Sequence, residues 1–514
     1  MKRSHFVFLP FAAVYLVGVC IELPRVRYQI NPDGISYLAI AERYLTGDLG
    51  AALNAYWGPL FSWLLTPFLA LGIEPLLACK VLTFAVGMPT LFGGWILSER
   101  YTRVLVIRAV ITAALVPMIL VWAASLVTPD ILVVCCLTYY AYFISDATMS
   151  RRPVFLAALF GALAYLAKSY AFVFIPIHLA TVAVGRWIWA QDESRRKEVL
   201  QRAALGVAAF LALTLPWVAA ISIKSGRPTF GTAGAYNLAV AGLTSGSEGT
   251  QSHGVDAPGL RALDEGAFSA WENPSFGSSL NGPSPASFRR LVVLMKANVP
   301  VVLKYLQEAS PLALFIVAAS ILISLRWRTS PESRLVAGTV ASGALYTLGY
   351  SFIWVEPRYL WILEILLLMI AGVLVDWLRR WWKLSALTTC FIATIIAGSF
   401  LPKPLAQLPR LAYAGRVTTE MAKSLAQEGV DLRNRRLASD TYWDHSLHVG
   451  YFLRARYFGV VPSEDPEAAR RELDEFKIDT FFVWGDRAAA QRYLTGFREV
   501  PVTASNVPFA IFQR

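Results

Sequence analysis

The run Asn31-Pro32-Asp33-Gly34-Ile35-Ser36-Tyr37-Leu38 sets a carboxylate in the first polar stretch after the first apolar block of the chain. Pro-Asp-Gly is turn chemistry, and aspartate also opens helices, so the plain reading of Asp33 is a turn former or a helix cap. The blocks around it are apolar for roughly twenty residues at a time, the length that crosses a bilayer core. An ionisable group at a membrane end is a functional candidate. The reading of Asp33 therefore turns on which face it occupies, and on what shares that face.

Hydrophobic residues make up 56% of the 514 positions and charged residues only 16%. Soluble proteins carry about a quarter charged residues, so the composition gives a polytopic α-helical membrane protein. The net charge of +12 does not point to nucleic acid, because the basic residues gather in short loops between apolar blocks. The five cysteines, Cys20, Cys79, Cys135, Cys136 and Cys390, all fall in apolar blocks and read as small core residues, not as disulfides or metal ligands. Met1-Lys2-Arg3 followed by an apolar run resembles a signal peptide. With no small-x-small site before Pro24, an uncleaved first helix is expected.

With Lys2 and Arg3 held inside, eleven spans thread without conflict: 5–24, 75–97, 104–124, 131–145, 153–167, 169–187, 203–223, 300–325, 335–354, 359–376 and 384–401. Every Arg-rich short loop then falls on the inner side. Residues 25–74 form a first outer loop, with a short amphipathic helix at 36–48. The 57–72 stretch, broken by Pro59 and Pro67, is read as an interfacial helix; counting it as a span would put Arg100, Arg103 and Arg108 outside. A long outer loop, 224–298, contains Gly231, Gly234, Gly242, Gly246 and Gly249 and is either a lid or plain disorder. It has no phosphate-cradling motif. Residues 1–402 form the membrane region. Residues 403–514 read as a small outer α/β domain: strands at 436–439, 456–460 and 479–484, helices near 444–453, 465–476 and 487–495, and closing strands.

This threading puts Asp33, Asp130, Lys168 and Glu356-Pro357-Arg358-Tyr359 on one outer face. Asp33 can act as a general base or ligate a divalent metal. Asp130, after Pro129, is a helix cap or a second carboxylate for metal or acceptor. Lys168 is either snorkelling or a point-charge contact to phosphate. Arg358 is a bidentate phosphate partner, or pairs locally with Glu356. A carboxylate base with two cations at one membrane face suits a lipid-phosphate donor, the cations stabilising charge on the leaving phosphate. In the tail, His445 and His448 are spaced i, i+3, but no third ligand is fixed and Ser446 lacks a nucleophile context, so the Asp440–His448 run reads as surface or packing.

At these residues the sequence resembles the bacterial GT-C glycosyltransferases, the superfamily of protein O-mannosyltransferases and lipid A aminoarabinose transferases. The resemblance is carried by Pro32-Asp33-Gly34-x-x-Tyr37, Tyr56-Trp57-Gly58-Pro59-Leu60, Pro129-Asp130, Leu166-Ala167-Lys168 and Glu356-Pro357-Arg358-Tyr359-Leu360. It covers most of the membrane region. Such enzymes take a sugar from a polyprenyl-phosphate carrier and invert its anomeric carbon. The resemblance implies that Asp33 is the catalytic carboxylate and that Lys168 and Arg358 contact the phosphate; beside them Asp130 is a second catalytic candidate, and Tyr37, Tyr56, Trp57, Glu356 and Tyr359 are substrate-binding candidates. It also implies a glycan, lipid or protein acceptor, contact with membrane lipids, and a multi-pass place in a bacterial inner membrane with the active face outside. Asp33-Gly34 stands where the mannosyltransferases carry an adjacent acidic pair, and Trp57-Gly58-Pro59 where the aminoarabinose enzymes have Glu-Lys; a divalent metal stays open. Two other functions are compatible with the composition. A transporter or carrier-lipid flippase predicts internal repeats and midplane sites, and an O-antigen ligase or polymerase needs neither Asp33 nor the 57–72 helix.

Overall fold

The computed structural model describes residues 3–146, 148–241, 259–276, 288–326, 330–353, 355–461 and 465–514. Met1, Lys2, Trp327, Arg328, and Gly242, Gly246 and Gly249 of the long loop lie outside them.

The described residues are mostly helical. After α1 (Leu9–Val26), Pro32 opens α2 (Pro32–Thr46) at its first position, where a missing N–H costs nothing. A single turn, α3 (Leu49–Ala52), leads to α4 (Leu60–Ala70). Eleven residues make a helix of about 16 Å, too short to cross a bilayer core, and α4 instead packs on α2. Ser62 Oγ donates to the Tyr37 carbonyl at 2.9 Å, fixing the two helices together.

The bundle continues with α5 (Pro75–Tyr101), α6 (Leu105–Ser125), α7 (Asp130–Ile144), α8 (Arg151–Ala167), α9 (Tyr170–Ile188) and α10 (Glu193–Ser225). It closes with α11 (Ala233–Ala241), α12 (Phe288–Ala309), α13 (Ala313–Arg326), α14 (Pro331–Ser351), α15 (Trp361–Trp381) and α16 (Ala386–Gly398). Six helices among the described residues are long and apolar enough to cross a membrane, α1, α5, α6, α9, α10 and the 357–381 segment containing α15, or up to eight if each bent pair is one span. The sheath of exposed Leu, Ile, Val, Phe and Trp side chains around the bundle fits a lipid solvent.

Three sequence readings are corrected here. The span expected at 300–325 is two helices, α12 and α13, bent by 105°. Pro311 lies in the break, where its ring and missing N–H stop α12. The span at 384–401 likewise ends early, at Gly398, and turns by 47° into α17 (Pro402–Leu411) and α18 (Arg416–Gln427). Of the cysteines, Cys79, Cys135 and Cys136 are buried, but Cys20 is exposed on α1 and Cys390 is partly so; all five are free.

A six-stranded sheet follows, in the order β1-β3-β2-β4-β6-β5. Its strands are β1 (Gly259–Leu260), β2 (Arg436–Ser439), β3 (Arg456–Val460), β4 (Thr480–Val483), β5 (Arg498–Val500) and β6 (Ala510–Gln513). The helices α19 (Trp443–Phe452), α20 (Pro466–Glu475) and α21 (Arg487–Gln491) interleave with them. The central strand β2 pairs parallel with both β3 and β4. The edge strand β1 comes from the long loop and pairs antiparallel with β3, so residues 259–276 join the tail and the chain does not divide cleanly at 402.

Candidate active site

Four polar side chains far apart in sequence meet at one end of the bundle because four helices start or stop there. Asp33 lies in the first turn of α2, and Asp130 is the first residue of α7. Lys168 sits in the extended link that ends α8 and precedes α9. Arg358 lies in a tight turn, Pro357–Leu360, leading into α15. The N-termini of α2, α7 and α15 therefore point their positive dipole ends into the same region, which favours anions.

Arg358 is the hub. Its Nη1 donates to Asp33 Oδ2 at 2.9 Å and lies 3.7 Å from Asp130 Oδ2. Its Nε is 2.6 Å from Glu356 Oε2, and its Nη2 donates to Glu356 Oε1 at 3.1 Å. Lys168 Nζ bonds Asp130 Oδ1 at 2.5 Å and lies 4.3 Å from the centre of the Tyr359 ring. The Asp130 side chain is only 4% exposed, those of Asp33 and Arg358 13% each. Charges this dry are tolerated only when paired, and here each one is.

An aromatic wall surrounds the cluster. Tyr37 is buried, with its ring 5.2 Å from Trp57 and 5.4 Å from Phe61. Tyr56 packs edge-on to Trp57 at 4.7 Å. Asn54 Oδ1 accepts from the backbone N–H groups of both Tyr56 and Trp57, fixing that turn. Tyr359 stacks on Tyr350 at 4.7 Å. Of the residues expected from sequence, Asp33, Asp130, Lys168, Glu356, Arg358 and Tyr359 form one linked network. Tyr37, Tyr56 and Trp57 are joined to each other by ring contacts beside it.

Three contributors carry no role in the sequence reading. Trp271, in the long loop, donates its indole N–H to Asp33 Oδ1 at 3.0 Å, and its carbonyl accepts from Trp57 Nε1 at 3.2 Å. No local pattern marks it, since 238 residues separate the partners. Thr128 donates to Asp130 Oδ2 at 2.5 Å. Lys80 is fully buried in α5, with Nζ bonded to Gln29 Oε1 and, at 2.8 Å, to the Ala124 carbonyl. It clamps together the two segments that lead into Asp33 and Asp130. The signal that singled out Lys168, a lone lysine in apolar surroundings, applies equally to Lys80.

The carboxylates do not fit the metal left open by the sequence. Both Asp33 oxygens accept from Trp271 and Arg358, and both Asp130 oxygens from Lys168 and Thr128. A divalent cation would have to displace a guanidinium or an ammonium that already neutralises them. Among the described residues no group of three or more His, Cys, Asp or Glu is placed to hold a metal. In the tail, His445 Nδ1 pairs with Asp444 at 2.9 Å and His448 is buried. Burial lowers His448 to about 4, so its imidazole is neutral.

Residues 57–219 match the family model described as dolichyl-phosphate-mannose-protein mannosyltransferase. No curated protein matches the chain in sequence. Among solved structures, the fold is similar to that of ArnT from Cupriavidus metallidurans bound to undecaprenyl phosphate, at 15% identity and a TM-score of 0.63, covering 99% of this chain and 98% of that one. It is also similar to the oligosaccharyltransferase AglB from Archaeoglobus fulgidus, in complex with an inhibitory peptide and a dolichol-phosphate, at 11% identity and a TM-score of 0.55, covering 94% and 69%. A further structure of the Archaeoglobus fulgidus oligosaccharyltransferase, complexed with zinc and sulfate, gives 11% identity and a TM-score of 0.57, covering 93% and 67%. The resemblance read from the sequence is thus borne out, and this chain has the fold of the GT-C glycosyltransferases.

Proposed function

We propose that the protein is a membrane glycosyltransferase that moves a sugar from a polyprenyl-phosphate donor to an acceptor hydroxyl, with inversion. The observation that carries this reading is the Asp33–Arg358 contact at 2.9 Å, joined through Arg358 to the Asp130–Lys168 pair. It sets a carboxylate base beside two cations, and the reaction needs both.

The Asp33 carboxylate takes the proton of the acceptor hydroxyl as the oxygen forms its bond to the anomeric carbon. The bond from that carbon to the phosphate oxygen breaks, and its electron pair leaves with the phosphate. Arg358 and Lys168 hold the growing negative charge. A guanidinium has five N–H donors, so Arg358 can keep Asp33 in place with one edge while presenting another to phosphate. Asp130 keeps Lys168 charged and oriented, and Trp271 holds the second oxygen of Asp33. Tyr37, Tyr56, Trp57 and Tyr359 supply flat surfaces for the sugar or the head of the carrier. The acceptor is a glycan, lipid or protein hydroxyl.

The same reading assigns eleven crossings. To the eight it adds α7, α8 and α14, which pack along the longer helices. The charge rule then puts the Arg186, Arg195 and Arg379–Arg380 end in the cytoplasm and the carboxylate end outside, in a bacterial inner membrane. Clustering of the ionisable groups at one end, away from the middle of the bundle, supports a transferase over a carrier.

The test is Asp33→Asn assayed with a polyprenyl-phosphate sugar in detergent. We expect transfer to fall by about 10²–10⁴-fold with an unchanged melting temperature. Turnover near the wild-type rate would remove Asp33 as the base.

A further inference from the structure

A second site lies at the opposite end of the bundle. The helices α7, α9, α14 and α15 leave a cavity of about 800 Å³ between them, within the range of specific ligand pockets. Its lining on α14 runs from Pro331 to Tyr346, about 22 Å at 1.5 Å per residue. Because α7 and α15 begin, and α14 ends, near the carboxylate cluster, the Pro331 mouth faces the other way.

The mouth is cationic. Arg186, Arg195 and Arg334 line it, against Asp192, with Glu198 adjacent and paired to Arg195. Arg186 spends both Nη groups on the carbonyls of Ile144 and Asp146, each at 2.6 Å. Arg334 Nε is buried without a hydrogen-bond partner, and its guanidinium lies 5.6 Å from the centre of the Trp189 ring. The N-termini of α10 and α14 open at the same mouth and add to its positive potential. Exposed Trp187, Trp189, Trp381 and Trp382 ring this end, as tryptophans do at the headgroup level of a bilayer. Deeper in, the wall is mostly apolar and its polar side chains are already bonded within the protein: Tyr140 Oη to His178 Nδ1 and His178 Nε2 to Ser342 Oγ at 2.6 Å each, Tyr101 Oη to Thr339 Oγ1 at 2.7 Å, and Thr181 Oγ1 to the Ile177 carbonyl at 2.9 Å. These hydroxyls and the imidazole are thus partnered without a ligand.

An apolar space of this size among bilayer helices is filled by hydrocarbon, and a cationic rim at headgroup level selects an anion. We propose that the cavity is a binding site for an anionic glycerophospholipid from the leaflet at that end. Its acyl chains lie between α7, α9, α14 and α15, and its phosphate lies against Arg334 and Arg195. Basic pockets between membrane helices hold anionic lipid headgroups in this manner.

The experiment measures thermal stability of the detergent-purified full chain titrated with dioleoylphosphatidylglycerol, dioleoylphosphatidylcholine or undecaprenyl phosphate. We expect saturable stabilisation by phosphatidylglycerol and little by phosphatidylcholine. Arg334→Gln should weaken the phosphatidylglycerol response about fivefold, the worth of one cation near an anionic headgroup. Gly338→Phe should abolish it: Gly338 lines the cavity, and a Cβ added there meets nothing within 4 Å, so the ring fills space without a clash at its root. Any response to undecaprenyl phosphate should survive both substitutions. Equal responses to the two phospholipids, or a phosphatidylglycerol response unchanged in both variants, would overturn the proposal. So would loss of the undecaprenyl phosphate response in step with the phosphatidylglycerol response, since the cavity would then belong to the carrier lipid.

Discussion

Arg358 serves three carboxylates at once, Glu356 at 2.6 Å, Asp33 at 2.9 Å and Asp130 at 3.7 Å. With Lys168 the cluster holds two cations against three anions. An arriving phosphate must therefore take over guanidinium donors already in use. Glu356 is the most exposed of the three carboxylates and sits on the two-toothed Nε–Nη2 edge that phosphate prefers. Arg358→Lys keeps the charge but loses that fork. We expect its donor KM to rise about tenfold, the cost of roughly one charge-assisted hydrogen bond, with a smaller change in acceptor KM. Steady-state kinetics with each substrate varied in turn would show this, and an unaltered donor KM would mean the fork is not used. EDTA should leave turnover unchanged, because Arg358, Trp271, Lys168 and Thr128 already occupy the Asp33 and Asp130 oxygens that a metal would need; activity lost to EDTA and restored by a divalent ion would reverse that reading. The ionisable members of the site were legible because charge is scarce in such a chain and each one stands out. Trp271 was not, since tryptophan is ordinary here and its role exists only through a tertiary contact.

Element positions depend on close approaches that only small residues permit. A Cβ at Gly34 would lie 2.8 Å from Val127 Cβ and 2.9 Å from the Val127 carbonyl. The 126–129 segment it touches carries the chain into Asp130, so α2 and α7 are set against each other at this point. Gly34→Ala should cost about 1–3 kcal/mol through overpacking and slow turnover by pushing Asp33 away from Arg358. Gly50→Ala is the control: its added Cβ meets only Asp48 Oδ1, at 3.9 Å. A melting temperature shifted equally by both would discount the close approach. The start of α2 at Pro32, before the expected 36–48, follows from proline's fitness for the first helical position, a signal present in the sequence but outweighed there by Pro-Asp-Gly read as a turn. The break between α12 and α13 at Pro311 was equally available. Hydropathy alone ran across it, because apolar residues continue on both sides of the bend.

At the scale of the whole molecule, the tail reaches the site through the loop it captures. Strand β1 pairs with β3, Trp271 lies 5.2 Å from Trp443 of α19, and Trp271 holds Asp33. The tail's strands β2, β3 and β4 were legible as short stretches between its helical segments. The capture of residues 259–276 was not, since a two-residue strand carries no periodic signal. Two ion pairs tie α2 to these parts, and their environments separate them. Arg43–Glu272 at 2.5 Å is nearly dry, with side chains 13% and 1% exposed, and burial raises the Glu272 carboxyl despite its partner. Arg454–Glu42 at 2.7 Å is wetter, with Arg454 57% exposed. Removing one partner of a buried pair leaves the other unpaired at a cost of about 3–5 kcal/mol, whereas an exposed pair is worth about 1 kcal/mol or less. Arg43→Ala should therefore loosen the 259–276 segment, seen as faster amide exchange there, and lower turnover through Trp271. Arg454→Ala should do neither. If both variants exchange like the wild type while Arg43→Ala still loses activity, the loop is held by the sheet alone and Arg43 acts on the site by another route.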